Sequence, residues 1–154
     1  MTMADKMKVA LLQNSQSTYT PALHQELRAQ SAVVQLVESC KDISAMLSTP
    51  EPPEVIFTDL KLQDGTWEDV VRIGQNAAGP VNVIVVSRYA DTRLYIEALE
   101  RGAFDFIIPP FEASQLSHVL RSAFWNVAKL REARSGAPLL RESGKDRPVL
   151  AIAS

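Results

Sequence analysis

The chain has 154 residues, 46% of them hydrophobic and 22% charged, with a formal net charge of −2, the profile of one ordinary globular domain plus a short tail. That charge gives no electrostatic case for nucleic-acid binding, and no apolar run approaches the length needed to cross a bilayer. The single cysteine, Cys40, excludes an internal disulfide; with no signal peptide in view it reads as a small buried apolar residue in a reducing cytoplasm.

Residues 7–12 (MKVALL) form a short apolar run, read as a buried strand. Thr20-Pro21 looks like a helix start, with a capping oxygen and a proline at the first helical position, and the helix runs through Leu23, Leu27 and Arg28. Residues 32–37 (AVVQLV) are the second strand. Ser39 and Asp42 have capping-box-like spacing. Ile43, Met46 and Leu47 then share a helical face, and Pro50, Pro52 and Pro53 end that helix. The third strand, Val55-Ile56-Phe57-Thr58-Asp59, ends on a carboxylate. Trp67, Val70, Val71 and Gly74 carry helical spacing, and residues 81–86 (VNVIVV) are the fourth strand. Asp91 can cap a helix through Leu94, Tyr95, Ala98 and Leu99, with Gly102 placed to end it in a left-handed conformation. Residues 104–108 are the fifth strand, stopped by Pro109-Pro110. Leu116, Val119, Leu120, Ala123, Phe124, Val127 and Leu130 form one apolar helical stripe.

Strands alternating with helices imply parallel crossovers and an α/β doubly wound sheet covered on both faces. In such folds the functional site lies at the carboxyl ends of the strands. That rule selects Gln13-Asn14, Asp59, Ser87 and Pro109-Pro110. Residues 7–134 form the domain. Residues 135–154 mix Gly, Pro, Ser and charge and read as a flexible tail, with an apolar end (PVLAI, 148–152) that could dock elsewhere.

From about Lys8 to Ala128 the sequence resembles a response-regulator receiver domain of the chemotaxis-regulator type. Val55 to Leu60 (VIFTDL) resembles the third strand with its phosphoacceptor aspartate, Asp59. Asp64-Gly65 resembles the loop that follows. Val83 to Ser87 (VIVVS) resembles the fourth strand with its switch hydroxyl, Ser87. Ala98 to Phe106 (ALERGAFDF) resembles the approach to the fifth strand, with Phe106 at the switch-aromatic position, and Pro110-Phe111 resembles the end of a Lys-Pro-Phe signature. The resemblance implies a five-stranded flavodoxin-like sheet in the order 2-1-3-4-5. It also implies phosphate donated to Asp59 by a histidine kinase, and a magnesium ion held by that aspartate, an acidic pair on the first strand and one backbone carbonyl, here that of Lys61. A cis bond is expected at Pro109-Pro110, an inexpensive arrangement for an X-Pro bond.

The chain departs from that pattern where the chemistry is concentrated. The acidic pair falls on the neutral amides Gln13 and Asn14, and the lysine position falls on Pro109. Magnesium wants hard oxygen ligands whose charge compensates its own, and phosphoryl transfer depends on such charge stabilisation. No cofactor is therefore expected, magnesium entering only if the pocket works. Arg88 or Lys61 is expected to pair with Asp59 in place of the ion. The reading is a non-enzymatic receiver module acting by protein–protein contact with a histidine kinase, another signalling protein or a second copy of itself in a homodimer, with no nucleic acid or membrane as partner. A working phosphorelay receiver is the alternative. An aspartate-nucleophile phosphatase is disfavoured by Lys61, where a second aspartate belongs. A flavin binder is more remote: residues 13–20 (QNSQSTYT) are hydroxyl-rich but lack glycine. His24 and His118 lack a metal-ligand cluster and read as surface residues.

Overall fold

The computed structural model describes residues 7–135. The expected tail lies outside the described residues apart from Ser135, which is still helical. The elements are β1 (Lys8–Leu12), α1 (Thr20–Ala29), β2 (Val33–Val37), α2 (Cys40–Leu47), β3 (Val55–Thr58), β4 (Lys61–Leu62), β5 (Gly65–Thr66), α3 (Trp67–Gln75), β6 (Asn82–Val86), α4 (Thr92–Glu100), β7 (Asp105–Ile107) and α5 (Ala113–Ser135). Five strands form one parallel sheet in the order β2-β1-β3-β6-β7. This is the expected 2-1-3-4-5 arrangement once β4 and β5 are set aside. Those two form a small antiparallel hairpin, pairing Lys61 with Thr66 and Leu62 with Gly65, which the sequence pattern did not announce.

The central strands β3 and β6 are buried at every position, as continuous apolar runs covered on both faces require. Alternation along each strand divides the core in two. Val9, Leu11, Val55, Phe57, Ile84 and Val86 face α1 and α5, meeting Leu23, Leu27, Leu116, Val119, Leu120 and Ala123. Ala10, Leu12, Ile56, Val83 and Val85 face the other way, against Ile43, Val70, Val71 and Ala98. The last-helix stripe is narrower than expected: Phe124 is half-buried and Leu130 exposed, because the helix outruns the sheet beneath it. In α4 only Ala98 of the expected face is buried.

Local signals fix the ends. Ser39 accepts from the Asp42 N–H at 3.0 Å, and Asp91 from the Leu94 N–H at 3.1 Å, each satisfying an orphan helix donor. Gly102 follows α4 at φ 110°, as expected. The start of α1 differs from expectation: the cap is Tyr19, and Thr20 is the first helical residue. Its hydroxyl is buried and caps nothing.

Candidate functional site

Three strand ends, those of β1, β3 and β6, and the loops that leave them build the site. The Asp59 N–H donates to the Leu12 carbonyl at 3.1 Å, which carries the strand pairing one residue past β3 and fixes the carboxylate above the sheet edge. Asp59 is half-buried. Its Oδ1 accepts from the Leu60 N–H at 2.8 Å and its Oδ2 from the Asn14 N–H at 3.2 Å.

Asn14 does more than lend a backbone donor. Its Nδ2 donates to the Lys61 carbonyl at 3.1 Å, and its Oδ1 accepts from the Gln16 N–H at 2.9 Å. Both ends of the amide are thus spoken for, and the neighbouring donor and acceptor fix its orientation. One neutral side chain thereby joins the loop after β1 to the loop after β3, and its amide nitrogen faces the carbonyl that the resemblance assigns to a metal. Gln13 is tied in through its backbone N–H, which donates to the Val37 carbonyl at 3.0 Å, and it lines no part of the hollow above Asp59. The donor set does not fit a magnesium ion. Among the described residues that line the hollow Asp59 is the one carboxylate, and Asn14 turns an N–H, not an oxygen, toward the Lys61 carbonyl, whereas the ion needs oxygen ligands that offset its charge. Among the described residues no group of three or more His, Cys, Asp or Glu side chains is placed to hold a metal.

The expectation that Arg88 or Lys61 pairs with Asp59 is not met. Ion pairs among the described residues join Lys8 to Glu51, Arg72 to Asp69, Arg101 to Glu68 and Glu97, and Arg131 to Glu54. Lys61 and Arg88 are both exposed. The physical reason is that each Asp59 oxygen already has a backbone N–H and the carboxylate keeps partial contact with solvent, so a charged partner is not required to offset burial.

Ser87 is 2% exposed and is turned on its own loop: its hydroxyl donates to the Tyr89 carbonyl and accepts from the Tyr89 N–H, both at 3.1 Å. Phe106 stacks edge-on against Tyr95, ring centroids 5.7 Å apart. The Pro109-Pro110 bond is cis, as expected. Asp64 accepts from the N–H groups of Cys40 at 2.7 Å and Lys41 at 3.0 Å, so this loop carboxylate clamps the β4–β5 turn onto the start of α2. Those backbone donors, the Cys40 N–H foremost, hold its carboxyl below the usual range. Burial, with the Asp64 charge behind it, pushes the Cys40 thiol up to about 11, which leaves it protonated and inert, in line with the expected buried role.

The sequence reading missed two aromatic residues, Tyr19 and Tyr89. A hollow of about 230 Å³ above Asp59 is lined by Asn14, Gln16, Ser17, Tyr19, Arg88 and Tyr89. Tyr19 is 8% exposed, its ring set edge-on against Phe111 at 5.9 Å. Burial and then the Asp59 charge push its hydroxyl above the ordinary range, while Ser17 and Arg88 act in the opposite sense. The hydroxyl stands close enough to Asp59 to feel that charge, yet completes no well-formed hydrogen bond among the described residues. A half-apolar aromatic closing a polar loop, one step before a helix, was the available signal.

Comparison with known proteins agrees with this geometry. The family model described as "Response regulator receiver domain" matches residues 11–121. The response regulator protein PilR of Pseudomonas aeruginosa is 32% identical over 73 residues, 47% of this chain and 16% of that protein. The regulatory protein LuxO of Vibrio cholerae is 30% identical over 79 residues, 51% of this chain and 17% of that protein. The chain thus spans about one-sixth of the length of these curated relatives. Among solved structures, the signal receiver domain of a protein described as a Luxo repressor from Vibrio parahaemolyticus superposes with a TM-score of 0.68 at 26% identity, covering 85% of this chain and 98% of that one. With the family model covering well over half its length and the same fold found in its structural neighbour, this chain belongs to the response-regulator receiver-domain family.

Proposed function

We propose that this receiver passes its signal through protein–protein contacts without the ordinary magnesium-dependent phosphorylation of Asp59. The observation that carries the reading is the Asn14 amide, which donates to the Lys61 carbonyl while its own backbone N–H holds the Asp59 carboxylate. A neutral side chain spans the gap a cation would bridge, so the loops are joined with no ion. The missing lysine, at Pro109, removes a second source of charge stabilisation. Ser87 and Phe106 occupy the switch positions of the resembled family, each engaged with a neighbour on its own side of the site. The partners this reading calls for are a histidine kinase, another signalling protein or a second copy of the chain, in the cytoplasm and with no catalytic turnover of the domain's own. No helix among the described residues is long and apolar enough to cross a membrane.

The test is intact-mass measurement after acetyl phosphate treatment, with magnesium and with chelator, using Asp59→Ala as control. The expected result is that magnesium adds nothing to any phosphoryl uptake at Asp59. Uptake that appears only with magnesium, and disappears in Asp59→Ala, overturns the proposal and makes the chain a working phosphorelay receiver.

A further inference from the structure

We infer that the Tyr19 hydroxyl, assisted by Arg88, takes over the charge-stabilising place of the metal and the lysine, so that Asp59 accepts a phosphoryl group with no divalent cation. The inference rests on the preceding reading that Asp59 holds the acceptor position in a pocket that does not use magnesium.

Tyr19 is fixed on both sides. Its ring is clamped against Phe111, and its carbonyl accepts the Leu23 N–H at 3.1 Å as the first bond of α1. Its hydroxyl is buried and turned toward Asp59 and Ser17, both of which act on its titration, but neither it nor the Ser17 hydroxyl completes a well-formed hydrogen bond among the described residues. A buried hydroxyl without a well-formed hydrogen bond calls for an explanation. Both residues line the hollow over Asp59, where exposed Arg88 makes no ion pair among the described residues. Two hydroxyl donors and one guanidinium suit an anion, and the anion is one that Asp59 itself comes to carry: on phosphorylation the charge moves from the carboxylate to the phosphoryl oxygens, facing the hollow that these groups line, while Arg88 offsets part of the repulsion between Asp59 and the incoming anionic phosphodonor.

The step balances without a metal. A lone pair on an Asp59 carboxylate oxygen forms the new P–O bond, and the bond from phosphorus to the acyl oxygen of the phosphodonor breaks. Its electron pair leaves with the departing carboxylate, and no proton or electron is exchanged. Each Asp59 oxygen accepts one N–H and keeps a lone pair for this attack. Tyr19 donates a hydrogen bond to the phosphoryl oxygens without losing its proton, consistent with a hydroxyl that burial keeps protonated. A planar guanidinium meets phosphate oxygens in the same way.

The experiment follows phosphoryl uptake by intact mass, with acetyl phosphate as the probe, on the full chain in chelator and in magnesium. Uptake in chelator is expected at the rate seen with magnesium, abolished in Asp59→Ala. Tyr19→Phe, which keeps the ring, is expected to slow it at least about tenfold, since one oriented donor to developing charge is worth up to about 10²–10³-fold, with an unfolding midpoint no lower than that of the unaltered chain. Arg88→Gln slows it less. Thr20→Val, deleting a buried hydroxyl of the same turn that does not line the hollow, leaves the rate unaltered. No uptake under either condition overturns the inference and leaves the proposed function standing. Uptake in magnesium alone overturns both. Equal rates in Tyr19→Phe and the unaltered chain, or equal losses in Tyr19→Phe and Thr20→Val, remove Tyr19 from the role.

Discussion

Replacing Gln13 and Asn14 together with aspartate probes the Asn14 bridge directly. The bridge spans 3.1 Å from Nδ2 to the Lys61 carbonyl. Aspartate has no N–H to offer, so a carboxylate oxygen would face that carbonyl oxygen; the lost hydrogen bond is worth about 1 kcal/mol. The new charge also lies beside Asp59, whose Oδ2 is bonded to residue 14's own N–H. Two carboxylates roughly 5 Å apart repel by about 1 kcal/mol in water and about 3 kcal/mol at an effective dielectric of about 20. In chelator the double variant should therefore be about 2–4 kcal/mol less stable than the unaltered chain. Magnesium reverses the sign of the new interactions, because each added carboxylate now offsets the ion's charge. A dissociation constant of about 1 mM at about 10 mM free ion returns about 1.4 kcal/mol, or about 3–6 °C in Tm for a domain of this size. Thermal unfolding followed by circular dichroism, in chelator and in magnesium at matched ionic strength, reads both effects. The unaltered chain should unfold at the same temperature in either. If its own Tm rises by several degrees in magnesium, and Asp59→Ala cancels the rise, the amides suffice to hold the ion and the reasoning fails. A double variant indifferent to magnesium would show that the amides are not what excludes it.

Asp64 is held in its charged form by the N–H groups at the start of α2, so its contribution is present at neutral pH and is lost as pH falls below the ordinary aspartate range. Urea midpoints measured from near neutrality into acid should fall less in Asp64→Asn than in the unaltered chain; parallel curves would deny the clamp a role. A methyl group added at Gly65 would meet Asp69 Oδ2 at 2.6 Å and Cys40 Sγ at 2.9 Å. Asp69 is itself held by the Thr66 N–H at 2.9 Å and by Arg72, so Gly65→Ala should cost about 1–3 kcal/mol in chemical denaturation, and a silent substitution would mean the turn yields freely. Cys40, 7% exposed and with its thiol pushed up to about 11, should react with a thiol reagent only as the protein unfolds. Fast labelling of the native chain at neutral pH would contradict its packing.

Much of the fold was legible because two periodicities did not compete. The strands that became β3 and β6 are apolar without interruption, a pattern that only a doubly covered sheet tolerates, and the prolines after Leu47 and at Pro109-Pro110 punctuate the chain where elements end. What escaped the reading was short or shared. The β4–β5 hairpin has two residues per strand, too few for alternation to register. At the first helix, Thr20 and Tyr19 stand side by side, and composition favours the threonine as cap. Burial decided otherwise: Tyr19 packs against Phe111, which follows β7 far along the sequence, a contact no local signal carries.

The site shows the same division between position and partnership. Asp59 could be placed because the strand that delivers it is recognisable, but what meets its carboxylate could not be read from residue types. Charge complementarity pointed to Arg88 or Lys61, since both flank the strand ends. That argument treats a carboxylate as needing a cation, which holds for a carboxylate removed from water. Asp59 is only half-buried, and two backbone donors already meet it, so a rim cation gains little by giving up its own hydration and rotamer freedom. Asn14 illustrates the converse. Read as a residue type it is a lost charge, while in the structure its amide offers a donor and an acceptor at one point, and the loops after β1 and β3 present one of each to receive them. The amide thus links the two loops through the chain itself, and on the function proposed above it does so where an ion would otherwise stand. Any signal this receiver transmits must act on a pocket whose loops are already joined.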